Sequence, residues 1–153
     1  MADLFEILIG KEGEKDYKKK PVIVQGITGK FGSFHTRQML AYGTNIVAGV
    51  TPGKGGQKFE NTPIYETAKE AVAATGAKIS IVFVPAKFFR DAAIEALEAG
   101  IKILIAIPEH VPVRDAMIVL DLAKKKDAIM IGPNTPGIII PGIIKIGIMP
   151  TMP

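Results

Sequence analysis

The sequence contains no cysteine and only two histidines, His35 and His110, and these shortages remove several kinds of chemistry. Without cysteine, the chain cannot form a disulfide, a thiolate metal site or a cysteine nucleophile. Two imidazoles without thiolates also argue against a zinc centre, because such centres are built mainly from nitrogen and sulfur ligands. The sequence therefore predicts no metal site, and we assign no catalytic residue.

Long apolar runs and targeting signals are also lacking. The longest apolar stretch, residues 137–150, is broken by Pro141, Lys145 and internal glycines, so it is too short and too interrupted to span a bilayer. The N-terminus has neither the basic start nor the apolar core of a signal peptide. We therefore expect a cytoplasmic protein without a membrane anchor.

Charge of one sign is only slightly in excess. The chain has 19 Lys and Arg against 15 Asp and Glu, a net charge of +4, and the surplus is lysine. Lysines crowd into residues 11–20, but acidic residues are mixed among them, which is not typical of a nucleic-acid-binding stripe. We interpret residues 1–20 as a charged, solvated N-terminal segment and expect no nucleic-acid partner.

Short apolar runs alternate with helical patterns along the rest of the chain, whose 153 residues leave room for one domain. Strands are predicted over residues 21–25, 46–50, 79–84, 101–107 and 128–131. Helices are predicted over residues 31–42, 67–75, 86–99 and 113–126. Because continuously apolar strands are typical of covered parallel sheets, the fold class is predicted as α/β, a Rossmann-like, doubly wound, mainly parallel sheet with helices on both faces.

The first strand leads into a glycine-rich turn, residues 26–32, with the spacing G-x-x-G-x-x-G. Such a turn lets backbone N–H groups approach a phosphate, and the N-terminus of the following helix adds partial positive charge. The dinucleotide fingerprint differs, since it reads G-x-G-x-x-G with an acidic residue ending the second strand. That strand ends here at Thr51-Pro52-Gly53, which disfavours an NAD(P)-binding regulatory domain but leaves it as an alternative.

The second strand runs into a loop of sequence T-P-G-K-G-G, residues 51–56. It lacks Walker spacing and precedes no obvious helix, so it is not a P-loop. Flanked by glycines, Lys54 is expected to be exposed and mobile, and therefore suited to neutralising a phosphate; an ordinary surface loop is the alternative. Loops after parallel strands meet at one edge of the sheet, where ligands bind.

Several segments, in order, resemble the succinyl-CoA synthetase (succinate–CoA ligase) α subunit. They are residues 26–29 with Phe34-His35, then residues 41–44, 49–56 and 132–137. The resemblance covers about residues 21–149 and indicates the N-terminal, coenzyme A-binding domain of that subunit. It implies the following contacts with coenzyme A: Thr28, Gly29, Lys30 and Phe31 with its phosphates and sugar, Lys54 with a phosphate, and Ile107, Pro108 and Glu109 along its flank.

The family's reaction joins succinate and CoA at the expense of a nucleoside triphosphate, through a phosphohistidine in a second domain. We expect residues 150–153 to begin the linker to that domain, and the chain alone to be inactive without it and without the ligase β subunit. His35 is expected to be a packed or capping residue, and His110 a surface residue. A free-standing CoA-binding or sensing module without ligase activity is the alternative.

Isoleucines dominate the end of the chain. They stand at positions 138, 139, 140, 143, 144, 146 and 148. We expect them to form an apolar surface that the full subunit would bury against its next domain. Exposed apolar surfaces of this kind favour association, so a homo-oligomer or a concentration-dependent tendency to self-associate is expected for the chain alone.

Overall fold

In the computed structural model, which describes residues 3–150, the chain forms a seven-stranded sheet and a separate two-stranded hairpin. The helices are α1 Leu4–Ile9, α2 Lys30–Tyr42, α3 Ala68–Thr75, α4 Ala86–Glu98 and α5 Val113–Lys125. The strands are β1 Val22–Gln25, β2 Ile46–Val50, β3 Lys58–Phe59, β4 Thr62–Tyr65, β5 Ile79–Val82, β6 Ile103–Ala106, β7 Ile129–Ile131, β8 Gly137–Ile140 and β9 Ile144–Gly147. None of the described helices is long and apolar enough to cross a membrane.

The order of strands in the large sheet is β3-β4-β2-β1-β5-β6-β7. All neighbours are parallel except β3 and β4, which pair in antiparallel register. The chain winds outward from β1 through β2 and β4, then returns to the other side of β1 and winds outward again through β5, β6 and β7. The predicted doubly wound sheet is confirmed, and its topological switch point lies between β1 and β5.

Two apolar cores lie on opposite faces of this sheet. On one face, α3, α4 and α5 pack over buried side chains such as Phe89, Leu97 and Leu104. On the other face, α2, α1 and the β8–β9 hairpin cover a second core that includes Leu8 and Met39. The prediction of helices on both faces is confirmed, with the addition that the hairpin shares the second face with α2.

The expectation of an exposed isoleucine surface is wrong, because the β8–β9 hairpin closes over the sheet. Ile144 and Ile146 are buried, and Ile138 and Ile140, their partners across the hairpin, pack against the same core. Only Ile139, on the opposite face of β8, is exposed. The hairpin fills the part of the face that α2 alone leaves open, so the expectation of a homo-oligomer loses the surface on which it rested.

The N-terminal segment is also less solvated than its charge suggests. Leu8, on α1, is fully buried in the second core. Lys20 donates hydrogen bonds of 2.8 Å to the carboxylates of Glu14 and Asp16, and residues 11–15 are exposed. The interpretation of a charged, solvated segment therefore describes residues 11–15 but not α1, whose apolar side is anchored to the domain.

The buried side chain of Gln25 links the centre of the sheet to helix α4, which packs over it. Gln25, the last residue of β1, donates from Nε2 to the carbonyl oxygen of Ala92 on α4 at 2.8 Å. Its Oε1 accepts a hydrogen bond of 2.7 Å from the Ser80 hydroxyl on β5. Both polar ends of the amide are therefore satisfied. These bonds fix β1, β5 and α4 against one another at the switch point.

Candidate functional site

The glycine-rich turn joins β1 to α2 at the switch point. Gly26 adopts a φ of +83°, a left-handed conformation that favours glycine, and its N–H donates to the carbonyl oxygen of Val50 at 2.9 Å. A Cβ on Gly32 would lie 2.2 Å from the Gly26 carbonyl oxygen, so only glycine lets α2 approach the turn this closely. Gly29, the N-cap of α2, provides no side-chain cap. The first N–H groups of α2 are thus available to an anion.

The turn is linked to the loop that follows β2. Thr28 donates from its hydroxyl to the hydroxyl oxygen of Thr51 at 3.1 Å. Beyond Thr51, the Glu66 carboxylate accepts hydrogen bonds from the N–H groups of Gly53, at 2.9 and 3.0 Å, and of Gly55, at 2.9 Å. These backbone hydrogen bonds hold the pKa of Glu66 below its usual range, because they stabilise its charged form.

Lys54 sits between the two glycines that Glu66 holds. The Glu66 carboxylate accepts hydrogen bonds from the backbone on both sides of Lys54. The expectation of a mobile loop is therefore corrected for the backbone of this segment. The Lys54 side chain is exposed, as expected, and makes no salt bridge with any residue of the described range 3–150. The Lys54 ammonium is therefore exposed to solvent, while hydrogen bonds to Glu66 restrain the backbone on either side of it.

A cavity of about 640 Å³ lies at the carboxyl ends of β5, β6 and β7. It is lined by Phe31, Phe83, Val84, Pro85, Ala86, Ile107, Pro108, Glu109, Asn134, Thr135, Pro136 and Ile148. The backbone N–H of Asn134, whose φ is +60°, donates to the Pro108 carbonyl oxygen at 3.0 Å. This bond joins the loop after β6 to the loop after β7, so the two loops form one wall.

A second cavity, of about 400 Å³, lies on the other side of the β5 end. Its lining is mainly apolar and consists of Gln25, Gly26, Val50, Pro52, Val84, Pro85, Phe88, Asp91, Ala92 and Glu95. Val84 and Pro85 line both cavities. The two cavities are therefore neighbours, separated by the β5–α4 turn, and together they border the glycine-rich turn.

The predicted site residues divide among four places: the first cavity, the glycine-rich turn, a depression along α2 and the loop after β2. The first cavity is lined by Phe31, Ile107, Pro108 and Glu109. Thr28 and Gly29 form the turn, whereas Lys30 lies in a shallow depression along α2 with Ser33, Phe34, His35 and Arg37. Lys54 lines neither cavity, although Pro52 from the same loop lines the second one.

The first cavity is also lined by residues that are not among the predicted contacts, and these include Phe83, Asn134 and Thr135. A signal for two of them exists, because the segment Gly132-Pro133-Asn134 follows directly after β7, at the edge where ligands of this fold bind. Phe83 also follows β5, but the sequence places it inside the predicted strand of residues 79–84. Its role depends on the rings packed against it, which the local sequence does not reveal.

The histidines occupy different surroundings. His35 packs in an aromatic cluster with Phe31 and Phe83, as the expectation of a packed residue requires. Burial, aided by the charge of Lys145, lowers the pKa of His35. The His110 side chain is 91% exposed and lies 3.8 Å from the Glu109 carboxylate, which agrees with a surface residue. Within residues 3–150, no cluster of acidic or histidine side chains is arranged to hold a metal ion.

Residues 17–110 match a family model, the CoA binding domain, and this match decides the family. The chain belongs to the CoA-binding domain family. The match confirms the predicted coenzyme A-binding domain and covers the turn, the Lys54 loop and the loop after β6. It ends before Asn134, and the loop after β7 is placed at the site by the geometry of the first cavity.

Curated relatives extend the similarity of this CoA-binding domain further along the chain. The α subunit of ADP-forming succinate–CoA ligase from Aquifex aeolicus is 55% identical over 135 residues, which are 87% of this chain and 44% of that protein. The corresponding subunit from Methanothermobacter thermautotrophicus is 55% identical over 129 residues, 84% of this chain and 44% of that one. The chain thus spans less than half the length of these relatives.

Solved structures support the same fold for the CoA-binding domain. ATP citrate lyase from Methanothrix soehngenii, in complex with citrate and coenzyme A, matches with a TM-score of 0.72 and 25% identity over 85% of this chain and 23% of that chain. A dinucleotide-forming acetyl-coenzyme A synthetase from Ca. Korarchaeum cryptofilum matches with a TM-score of 0.75 over 97% of this chain and 31% of that one. At 17% identity, the second match shows the fold alone.

Proposed function

We propose that this chain binds coenzyme A across the carboxyl edge of its sheet and provides the CoA site of a succinate–CoA ligase α subunit. The observation that carries the proposal is the arrangement of two cavities around one glycine-rich turn. An extended ligand with phosphates in its middle requires an anion site between two grooves, and the N-terminus of α2 supplies that anion site.

The chemical character of the two cavities and of the turn indicates the orientation in which coenzyme A binds. The adenine ring enters the smaller cavity, because Pro52, Pro85 and Phe88 offer it flat apolar surfaces. The pyrophosphate lies on the turn at Thr28 and Gly29, and Lys30 follows at the start of α2. The narrow pantetheine arm, which carries the thiol, then runs along the larger cavity past the residues between Ile107 and Glu109.

The same direction gives Lys54 a specific role. With adenine beside Pro52, the phosphate on the adenosine ribose lies near the loop that carries Lys54. That phosphate distinguishes CoA from dephospho-CoA, and a lone exposed ammonium is suited to pair with it. The tether from Glu66 keeps the Lys54 backbone beside the smaller cavity, which limits the conformations lost when the ligand binds.

The proposal extends to the whole ligase by family relationship. The resemblance implies a phosphohistidine in a second domain, and we place that chemistry in the part of the relatives' length that these 153 residues do not span. We propose residues 21–149 as the CoA-binding domain, a ligase β subunit as partner and a cytoplasmic location. That this chain alone forms no succinyl-CoA remains a prediction, because acyl transfer requires a phosphorylated group oriented beside the acid and the thiol.

We expect Lys54→Ala to weaken CoA binding about tenfold, the effect of losing one exposed charge-assisted contact. The affinity for dephospho-CoA should stay nearly unchanged, because that ligand lacks the phosphate that Lys54 pairs with. Calorimetric titration of the purified chain with both ligands measures the two affinities. It also tests the proposed function itself, since a chain that binds neither ligand is not a CoA site.

Lys58→Ala is the matched control for this experiment. Lys58 is exposed on β3, a few residues beyond Lys54, so its replacement removes the same charge from the same region. We expect small and equal changes for the two ligands. Equal losses for CoA and dephospho-CoA in Lys54→Ala would remove Lys54 from its proposed role while leaving CoA binding itself intact.

A further inference from the structure

Three rings pack together at the wall of the larger cavity. The His35 ring lies parallel to the Phe83 ring, with an interplanar angle of 5° and centroids 5.9 Å apart. Phe31 meets both rings edge-on, with centroids 4.4 Å from His35 and 5.8 Å from Phe83. Phe31 and Phe83 line the cavity, whereas His35 stands behind them on α2.

Phe31 depends on this packing for its position. The Phe31 side chain is 51% exposed, so about half of it faces solvent. The contacts with His35 and Phe83 restrict the orientations that its ring can adopt. Edge-to-face ring pairs at these distances are favourable beyond the area they bury. Since α2 fixes the backbones of Phe31 and His35 one turn apart, the orientation of the His35 ring sets where the Phe31 ring can lie.

The surroundings of His35 favour its neutral form. The positive group that faces it from β9 is Lys145, a residue that is itself only 2% exposed. Along α2, Lys30 and Arg37 line the same depression as His35, and Arg37 is paired with Glu60. Lys145, Lys30 and Arg37 are all cations, and burial together with the charge of Lys145 lowers the pKa of His35.

We propose that neutral His35 is a positioning residue for coenzyme A, which holds Phe31 and Phe83 in place as a wall of the cavity, and that protonation of His35 releases this wall and weakens CoA binding at acid pH. The inference rests on the CoA binding proposed above. An imidazolium beside Lys145 is repelled and poorly solvated, so it turns towards water. Phe31 then loses one of its two ring contacts.

The direction of the pH effect follows from the sign of the pKa shift. A histidine with a lowered pKa is neutral in the folded protein at neutral pH. As pH falls below the ordinary histidine value and through the lowered pKa of His35, the folded chain takes up a proton that its structure disfavours. Both the stability contributed by the neutral ring and the CoA affinity are therefore present above the ordinary value and are lost on acidification.

The experiment measures binding of dephospho-CoA by calorimetry from about pH 8 to about pH 5, the range in which histidine titrates. Dephospho-CoA is chosen because a terminal phosphate monoester itself titrates near pH 6. We expect the wild-type affinity to fall roughly three- to tenfold towards acid pH, the size of one aromatic contact. In His35→Phe, which keeps a ring but cannot be protonated, the affinity should stay high throughout.

Two further variants separate the positioning role from a general effect of acid. His110→Asn, at the exposed histidine, should retain the wild-type pH profile. Lys145→Met removes the neighbouring charge and keeps an apolar side chain of similar length, so the midpoint should move to higher pH. An affinity for dephospho-CoA that does not depend on pH, or a profile that persists in His35→Phe, would overturn the inference and leave CoA binding standing.

A measurement without ligand tests the same link. In an NMR titration, the ring signals of Phe31 and Phe83 should move with the midpoint of the His35 imidazole signals. Phe31 signals that stay unchanged while His35 titrates would refute the coupling even where CoA binds. A chain that binds CoA at no pH would instead overturn the proposed function, and with it the effect of His35 on CoA.

Discussion

Ile146→Ala should lower the free energy of unfolding by about 2–5 kcal/mol, the usual cost of removing a large aliphatic side chain from a packed core. Ile146, on strand β9 of the hairpin, is fully buried in the same core as Met39 of α2 and the sheet residue Ile105. Shortening it leaves a cavity where the hairpin meets the sheet. Urea denaturation followed by circular dichroism gives the change.

Ile139→Ala is the control on the same hairpin. Ile139 is 36% exposed on the opposite face of β8, so its loss should change stability by less than about 1 kcal/mol. Similarly small losses for the two variants would mean that the hairpin does not close over the sheet. The surface expected from the sequence, with every isoleucine bare, would then describe the chain better.

Gly32→Ala should cost about 1–3 kcal/mol or more, because the added Cβ would lie 2.2 Å from the Gly26 carbonyl oxygen. That contact is with the backbone of the glycine-rich turn, which has no flexible side chain to move aside. Either α2 or the turn must shift, and both form the proposed anion site. We therefore expect the variant to lose CoA affinity together with stability, which thermal denaturation and calorimetry measure separately.

Gly29→Ala provides the comparison within the same turn. A Cβ at Gly29 would lie 3.6 Å from the Gly26 carbonyl oxygen, an ordinary contact, and its φ of −65° suits any residue. Its cost to stability should stay near that of a weakened helix cap, less than about 1 kcal/mol. If Gly32→Ala proved as stable as Gly29→Ala, the close approach of α2 to the turn would be incorrect.

The main sheet was predictable because its strands are continuously apolar. Residues 22–25, 46–50, 79–82, 103–106 and 129–131 all form strands inside the predicted ranges. The β3–β4 hairpin was not predicted, since β3 has two residues and Pro63 interrupts β4. Strands this short leave no periodicity to read, and their pairing comes from the tertiary fold.

The hairpin at the end of the chain was misinterpreted for a different reason. In residues 138–140, every side chain is isoleucine, so the alternation that would distinguish a half-buried strand is absent from the sequence. The structure supplies the alternation, with Ile138 and Ile140 towards the core and Ile139 exposed. A uniform apolar run therefore predicts burial of one face without saying which one.

The candidate site was predictable where one local segment forms it and obscure where distant segments meet. The turn at residues 26–32 carries its own signature of glycines. The Glu66 carboxylate accepts hydrogen bonds from Gly53 and Gly55, which lie 13 and 11 positions before it. No local sequence pattern predicts these contacts. The bond from Asn134 to Pro108 likewise depends on β6 and β7 lying side by side.

An NMR titration of the isotope-labelled chain with coenzyme A tests the central claim most directly. The account predicts that CoA shifts the backbone signals of Gly29, Lys30 and Asn134, at the carboxyl edge of the sheet. The signals of Lys78 and Lys102, which line a charged cavity at the opposite edge, should stay in place. Shifts confined to Lys78 and Lys102, or no shifts at millimolar CoA, would contradict it.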